Sequence, residues 1–133
     1  MKVAELMRTD VKTVDIDATI GDAITALADG HVSALPVTDA RGQVVGVVST
    51  TDVLAAFSET TDPVARERLF DETPVRDIMT SRSRVIAPGA DVLEAAREML
   101  YLDVHRLFVE DAGRLVGVVS QTDIVAAVAT AKI

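Results

Sequence analysis

Seven residues of this chain occur almost twice. Gly46-Val47-Val48-Ser49-Thr50-Thr51-Asp52 is answered 71 positions later by Gly117-Val118-Val119-Ser120-Gln121-Thr122-Asp123. Such a repeat constrains the fold strongly, because one supersecondary unit must serve twice. In each copy two valines leave a glycine as a short strand of high β propensity. Hydroxyl residues end the strand, and an aspartate opens a helical pattern, which in the first copy runs through Val53, Leu54, Ala55, Ala56 and Phe57. A helix start carries unpaired N–H groups and a partial positive charge. Ser49, Thr51 and Asp52, with Ser120, Thr122 and Asp123, therefore stand where a polar or phosphorylated ligand is held. Each stretch taken singly is also an ordinary N-cap. Two copies that keep Gly, Ser, Thr and Asp at matched spacing favour a site, since a cap needs only one such residue.

The duplication reaches well beyond these stretches. Val3-Ala4-Glu5-Leu6-Met7 matches Val75-Arg76-Asp77-Ile78-Met79 at an offset of 72, each a single helical turn. Thr13-Val14 and Val85-Ile86 follow as short strands. Ile20, Ala23, Ile24 and Leu27, like Val92, Ala95, Ala96 and Met99, recur at i, i+3, i+4 and i+7, the apolar face of a helix. Thr19 with Asp22, and Asp91 with Glu94, have the spacing of a capping box or close to it. Leu35-Pro36-Val37 and Leu107-Phe108-Val109 read as strands. Turns follow at Asp39 and Asp111, with Gly42 and Gly113 inside them. The first turn is one residue longer, which moves the offset from 72 to 71. Across Gly42–Ala56 and Gly113–Ala127, 10 of 15 positions are identical.

Between the repeats, Asp62-Pro63 is a helix start with proline at the first helical position. Val64, Ala65, Leu69 and Phe70 give that helix a partial apolar face, and Arg66, Glu67 and Arg68 are expected in water. Pro74 ends it. Ile124–Ala131 is helical in character and free to pack on the core or on another subunit. The expected organisation is repeat 1 over residues 1–57, a helical linker over 58–73 and repeat 2 over 74–133. Each repeat reads as β-α-β-β-α, a mixed α/β (α+β) class. A unit of about 55 residues is marginal alone. Two units packed sheet to sheet would bury both apolar faces and leave clefts between them.

Charge and composition exclude several functions. The formal net charge is −8, which disfavours nucleic acid as a partner. One Tyr and no Trp leave no stacking platform for single strands. With no cysteine, disulfides, zinc–thiolate sites and cysteine nucleophiles are excluded. His31 and His105 are too far apart in sequence for a local metal motif, so no metal is expected. Neither a signal peptide nor a membrane span is legible, so a cytoplasmic protein with no membrane partner is the expectation. Hydrophobic residues make up 49% of the chain, and the mean hydropathy is +0.30. Part of that apolar content suits a subunit interface.

The repeated Gly-Val-Val-Ser-x-Thr-Asp, the opening of the second repeat at Asp77-Ile78-Met79, and His31-Val32-Ser33-Ala34-Leu35-Pro36-Val37 with Asp39 and Gly42 together resemble a tandem pair of CBS domains, a Bateman module. The resemblance covers Val3 to Val128. It implies pseudo-twofold symmetry and two clefts between the repeats. Such clefts commonly bind AMP, ADP or ATP, and sometimes S-adenosylmethionine or NAD, as ligands rather than required cofactors. On this resemblance Asp52 and Asp123 take the ribose diol, for which a carboxylate has the acceptor oxygens. Ser49 and Ser120 contact ribose or phosphate. Adenine is held by backbone near Thr13-Val14 and Val85-Ile86. Phosphates are met just before the Leu-Pro-Val strand, at Ser33-Ala34 and at His105-Arg106. The second pair resembles the phosphate-contacting pair of the AMP-activated kinase gamma subunit. His105 and Arg106 are expected to serve the cleft of Asp52, and Ser33 that of Asp123. Two unequal sites follow, with more phosphate charge at Asp52. Lys12 and Arg84 are further phosphate candidates. Phe108 replaces Pro36 in the second repeat and alters the cleft wall.

The implied function is a regulatory sensor of adenine nucleotides, homodimeric through its helices, whose occupancy is read by a protein partner that the sequence does not name. The alternative is a dimeric scaffold that docks without a ligand. An enzyme is not expected, because no nucleophile–base pair or metal cluster accompanies the two aspartates.

Overall fold

The computed structural model describes residues 1–81 and 84–130. The chain opens with a helical turn, α1 (Val3–Leu6). It continues through β1 (Val14–Asp15), α2 (Ile20–Gly30), β2 (Ala34–Thr38), β3 (Val44–Ser49), α3 (Thr50–Glu59) and α4 (Pro63–Glu72). A 3-10 turn (Val75–Asp77) leads to β4 (Thr80–Ser81). The second half runs β5 (Val85–Ile86), α5 (Val92–Leu102), β6 (Arg106–Asp111), β7 (Arg114–Ser120) and α6 (Gln121–Ala129). The β-α-β-β-α order expected of each repeat is present twice, in a mixed α/β chain. Ala131, which the sequence assigns to the last helix, lies outside the described residues.

Two compact units form, and they are cut differently from the sequence repeats. A central unit comprises Lys12–Ser83, and a terminal unit joins Met1–Val11 to Arg84–Ile133. The opening turn of each repeat therefore sits with the other repeat's sheet. Val75, from the second repeat, is fully buried with Val14, Ala23, Leu27, Leu35, Val37 and Val48 in the central core. Val3, from the first, is fully buried with Ile86, Ala95, Met99, Leu107, Val109 and Val119 in the terminal core. Met99, at 1% exposure, is core filler, as its helical spacing predicts.

The central sheet has the order β1-β2-β3-β4. β1 is parallel to β2, with α2 as the crossover, and the β2–β3 and β3–β4 pairs are antiparallel. The terminal sheet, β5-β6-β7, repeats the first three positions. Its fourth is taken by Arg8, which makes an isolated antiparallel bridge with Val118 through two N–H···O bonds of 2.9 Å. Thr80 pairs with Val47 in the same way. The first strands differ slightly: Val85 pairs with Phe108, whereas Thr13 stands just before β1. Phe108 has an N–H where Pro36 has none.

Local chemistry fixes the helix ends. Thr19 Oγ1 accepts the Asp22 N–H at 3.1 Å, and Asp22 Oδ2 accepts the Thr19 N–H at 3.1 Å, closing a capping box on α2. Asp91 Oδ1 accepts the Leu93 N–H at 2.8 Å at the start of α5. His31 and Asp103 end α2 and α5 in the left-handed region, at φ 51° and 55°. His31 is an exposed helix cap.

α4 is a separate helix, capped by Asp62 with Pro63 in its first turn. Arg66 does not simply face water there. Its Nε donates to the Thr60 carbonyl at 2.6 Å, and its guanidinium lies 4.4 Å over the Phe57 ring. Phe57 in turn stacks on Phe70 at 6.3 Å. Among the described residues no helix is long and apolar enough to cross a membrane.

Candidate ligand-binding motifs

Each repeated stretch is the junction of a half-buried strand with a helix. β3 runs into α3, and β7 into α6. The motif glycine is demanded by close packing on the strand. A Cβ on Gly46 would lie 2.7 Å from the Thr80 carbonyl oxygen and 2.8 Å from Met79 Sδ. On Gly117 it would lie 2.8 Å from the Arg8 carbonyl oxygen and 2.7 Å from Met7 Sδ. The buried Val48 and Val119 anchor the strands one residue before the serines.

Serine and aspartate then form a capping box in both copies. Asp52 Oδ2 accepts the Ser49 N–H at 2.8 Å and the Ser49 hydroxyl at 3.0 Å. Ser49 Oγ accepts the Asp52 N–H at 3.2 Å. In the second copy Asp123 Oδ2 accepts the Ser120 N–H at 3.0 Å, and Ser120 Oγ accepts the Asp123 N–H at 3.1 Å. The capping role and a binding role are thus compatible, because capping uses one carboxylate oxygen and leaves Oδ1. Thr51 and Thr122 are exposed on the first turns of the same helices.

The two Oδ1 atoms differ. Among the described residues no hydrogen bond or ion pair reaches Oδ1 of Asp52. Oδ1 of Asp123 accepts from Arg8 Nε at 3.3 Å. That carboxylate is 11% exposed and the Arg8 side chain 74%. The Arg8–Asp123 contact is what sequence reasoning misses. A difference between Arg8 and Thr80 at matched repeat positions is visible in the sequence, but their approach to the motif strands is not.

The remaining candidates distribute by unit. Ser33, Ala34, Thr13 and Val14 belong to the central unit with Asp52. His105, Arg106, Val85 and Ile86 belong to the terminal unit with Asp123. Arg106 is exposed and is the register partner of Ser120, as Ala34 is of Ser49. The Ser33 carbonyl accepts the Thr50 N–H at 2.9 Å, and the His105 carbonyl accepts the Gln121 N–H at 2.9 Å. The His105 ring adds a 3.3 Å contact from Nδ1 to Gln121 Oε1. Val14 and Ile86 are buried, and Thr13 is exposed. Lys12 is exposed, and Arg84 lies 4.0 Å from Glu98. Among the described residues no group of three or more metal-ligating side chains comes together.

Comparison with known proteins agrees with this duplicated geometry. The family model described as CBS domain matches residues 3–59 and again 75–130. The structure of CBSX2 in complex with AMP superposes with a TM-score of 0.80 at 30% identity, covering 99% of this chain and 98% of that one. CBSX2 is a CBS-pair protein from Arabidopsis thaliana. A putative acetoin utilization protein (AcuB) from Vibrio cholerae gives a TM-score of 0.81 at 27% identity, covering 99% of this chain and 93% of its own. An inosine-5'-monophosphate dehydrogenase of Methanocaldococcus jannaschii is 34% identical over 126 residues, covering 92% of this chain and 23% of that enzyme. An uncharacterized protein of the same organism is 28% identical over 123 residues, and this chain spans 41% of its length. The chain therefore spans less than half of either relative.

Proposed function

Because the chain belongs to the CBS-domain family and carries the domain twice, we propose that it is a regulatory module that binds adenosine-containing ligands and passes its occupancy to a partner protein. The observation that carries this reading is the Asp52 carboxylate. Its Oδ2 is fixed by its own helix cap, while its Oδ1 is left as an acceptor for a vicinal diol. AMP bound to the similar CBSX2 supports an adenine nucleotide. In this reading Asp52 and Asp123 take ribose, with Ser49 and Ser120 holding each carboxylate in place. Thr51 and Thr122 offer hydroxyls beside them. Adenine lies along Thr13-Val14 and Val85-Ile86, and Ser33-Ala34 and His105-Arg106 meet phosphate. The module has no catalytic role of its own, and the regulated activity belongs to another domain or protein.

A homodimer forms part of the proposal. Leu93, Leu100 and Tyr101 on α5 and Val125 and Val128 on α6 are exposed apolar side chains. A cavity of about 440 Å³ lies between these helices, lined by Ala96, Ile124 and Val128 among others. The same face favours the second reading, a scaffold that docks without a ligand.

Calorimetric titration with AMP, ADP, ATP and S-adenosylmethionine separates the two readings. A charge-assisted hydrogen bond contributes about 1.5–3 kcal/mol. Asp52→Ala with Asp123→Ala is therefore expected to weaken nucleotide binding by one to two orders of magnitude. If no ligand binds to protein shown by mass spectrometry to be ligand-free, the sensor reading is wrong and the scaffold stands.

A further inference from the structure

The two motifs are alike in their caps and unlike in their charge. Arg8 and Thr80 hold matching places, on the strand edges beside Val118 and Val47. From there the long Arg8 side chain reaches Asp123 Oδ1 at 3.3 Å. The side chain of Thr80 is neutral and short. On the opposite edge of each motif strand the pattern recurs, with Arg106 paired to Ser120 and Ala34 paired to Ser49. The Asp123 motif thus has an arginine on both neighbouring strands, and the Asp52 motif has none at those positions.

We propose that Arg8 sets the ligand selectivity of the Asp123 motif, favouring a phosphorylated nucleoside over a neutral one. The inference rests on reading the motifs as nucleoside sites. A ribose diol needs the same Oδ1 that Arg8 approaches at 3.3 Å, so a bound ligand competes with the guanidinium for that oxygen. A neutral nucleoside offers the displaced cation no counter-charge. A nucleotide brings its own phosphate, whose oxygens suit the planar fork of an arginine. The ion pair is therefore exchanged rather than lost when a nucleotide binds, and it acts against a nucleoside. Asp52, whose Oδ1 is unpaired among the described residues and which has Thr80 and Ala34 at the matching positions, discriminates less. This reverses the sequence-based expectation that more phosphate charge is favoured at Asp52.

The test compares adenosine with AMP in an Asp52→Ala background, where binding reports the Asp123 motif. The preference for AMP is expected to fall about fivefold or more in Arg8→Ala, since an exposed pair and one phosphate contact are both removed. Arg8→Lys should retain part of the preference. Folding is safeguarded because the Arg8–Val118 bridge is made by main-chain groups, which alanine keeps. In the reciprocal experiment Thr80→Arg, in an Asp123→Ala background, should raise the AMP preference of the Asp52 motif. An unchanged ratio in Arg8→Ala, with both ligands still binding, overturns the role of Arg8 alone. Binding lost entirely in the Asp52→Ala background also overturns it, leaving the nucleotide reading intact at Asp52. Failure of the unmodified chain to bind either ligand overturns both.

Discussion

A methyl group placed on Gly117 meets Met7 Sδ at 2.7 Å and the Arg8 carbonyl oxygen at 2.8 Å. The sulfur has room to swing, but the carbonyl belongs to a hydrogen-bonded bridge and can yield only by moving the strand edge. Gly117→Ala is expected to destabilise the protein by about 1–3 kcal/mol, the usual cost of overpacking. The midpoint of urea unfolding should fall accordingly, with no change in slope. At this scale the sequence is uneven as a guide. Ser49 and Asp52 are legible from spacing, because their bonds span three residues. The reason for Gly117, and the whole role of Arg8, depend on partners more than a hundred residues away: the Arg8–Asp123 pair spans 115. Periodicity and capping rules have no term for such contacts.

The helical turns α1 and Val75–Asp77 are legible as elements, since the repeat places them at one offset. Their destinations are not. Sequence adjacency puts Val3 with the first repeat, but its N–H bonds to the Ala90 carbonyl at 2.8 Å and its side chain enters the terminal core. Val75 N–H likewise bonds to the Ala18 carbonyl at 2.7 Å in the central unit. Both valines are fully buried, a burial worth about 1.5–3 kcal/mol. Val3→Ala is therefore expected to reduce amide exchange protection by about 1–2 kcal/mol in α5, β6 and β7. Val75→Ala should do so in α2, β2 and β3. The assignment of these turns fails if each valine instead loosens the repeat in which it stands. α4 shows the other kind of surprise. Its start at Asp62-Pro63 follows from local rules, but the turn of Arg66 onto Phe57 follows from the tertiary placement of an aromatic pair.

For the whole molecule, the exchange decides which pieces can stand alone. The central unit is one continuous stretch, Lys12–Ser83, whereas the terminal unit is assembled from both ends of the chain. Continuous contacts close shorter loops, so the central unit is placed to fold first and the terminal unit to wait for the C-terminus. A fragment of residues 12–83 retains Val75, β4 and the carbonyl that packs against Gly46. A fragment of residues 1–73, the first repeat with its linker, loses all three. It also carries Val3, Leu6 and Met7 without the core they pack on. A single core of this size supplies about 3–5 kcal/mol at most. Losing one fully buried valine and an edge strand removes most of that margin. The 12–83 fragment is therefore expected to give a dispersed amide spectrum and a cooperative urea transition. The 1–73 fragment should give a collapsed spectrum and no transition. Equal folding of the two would mean that the sequence repeat, rather than the compact unit, is the autonomous piece.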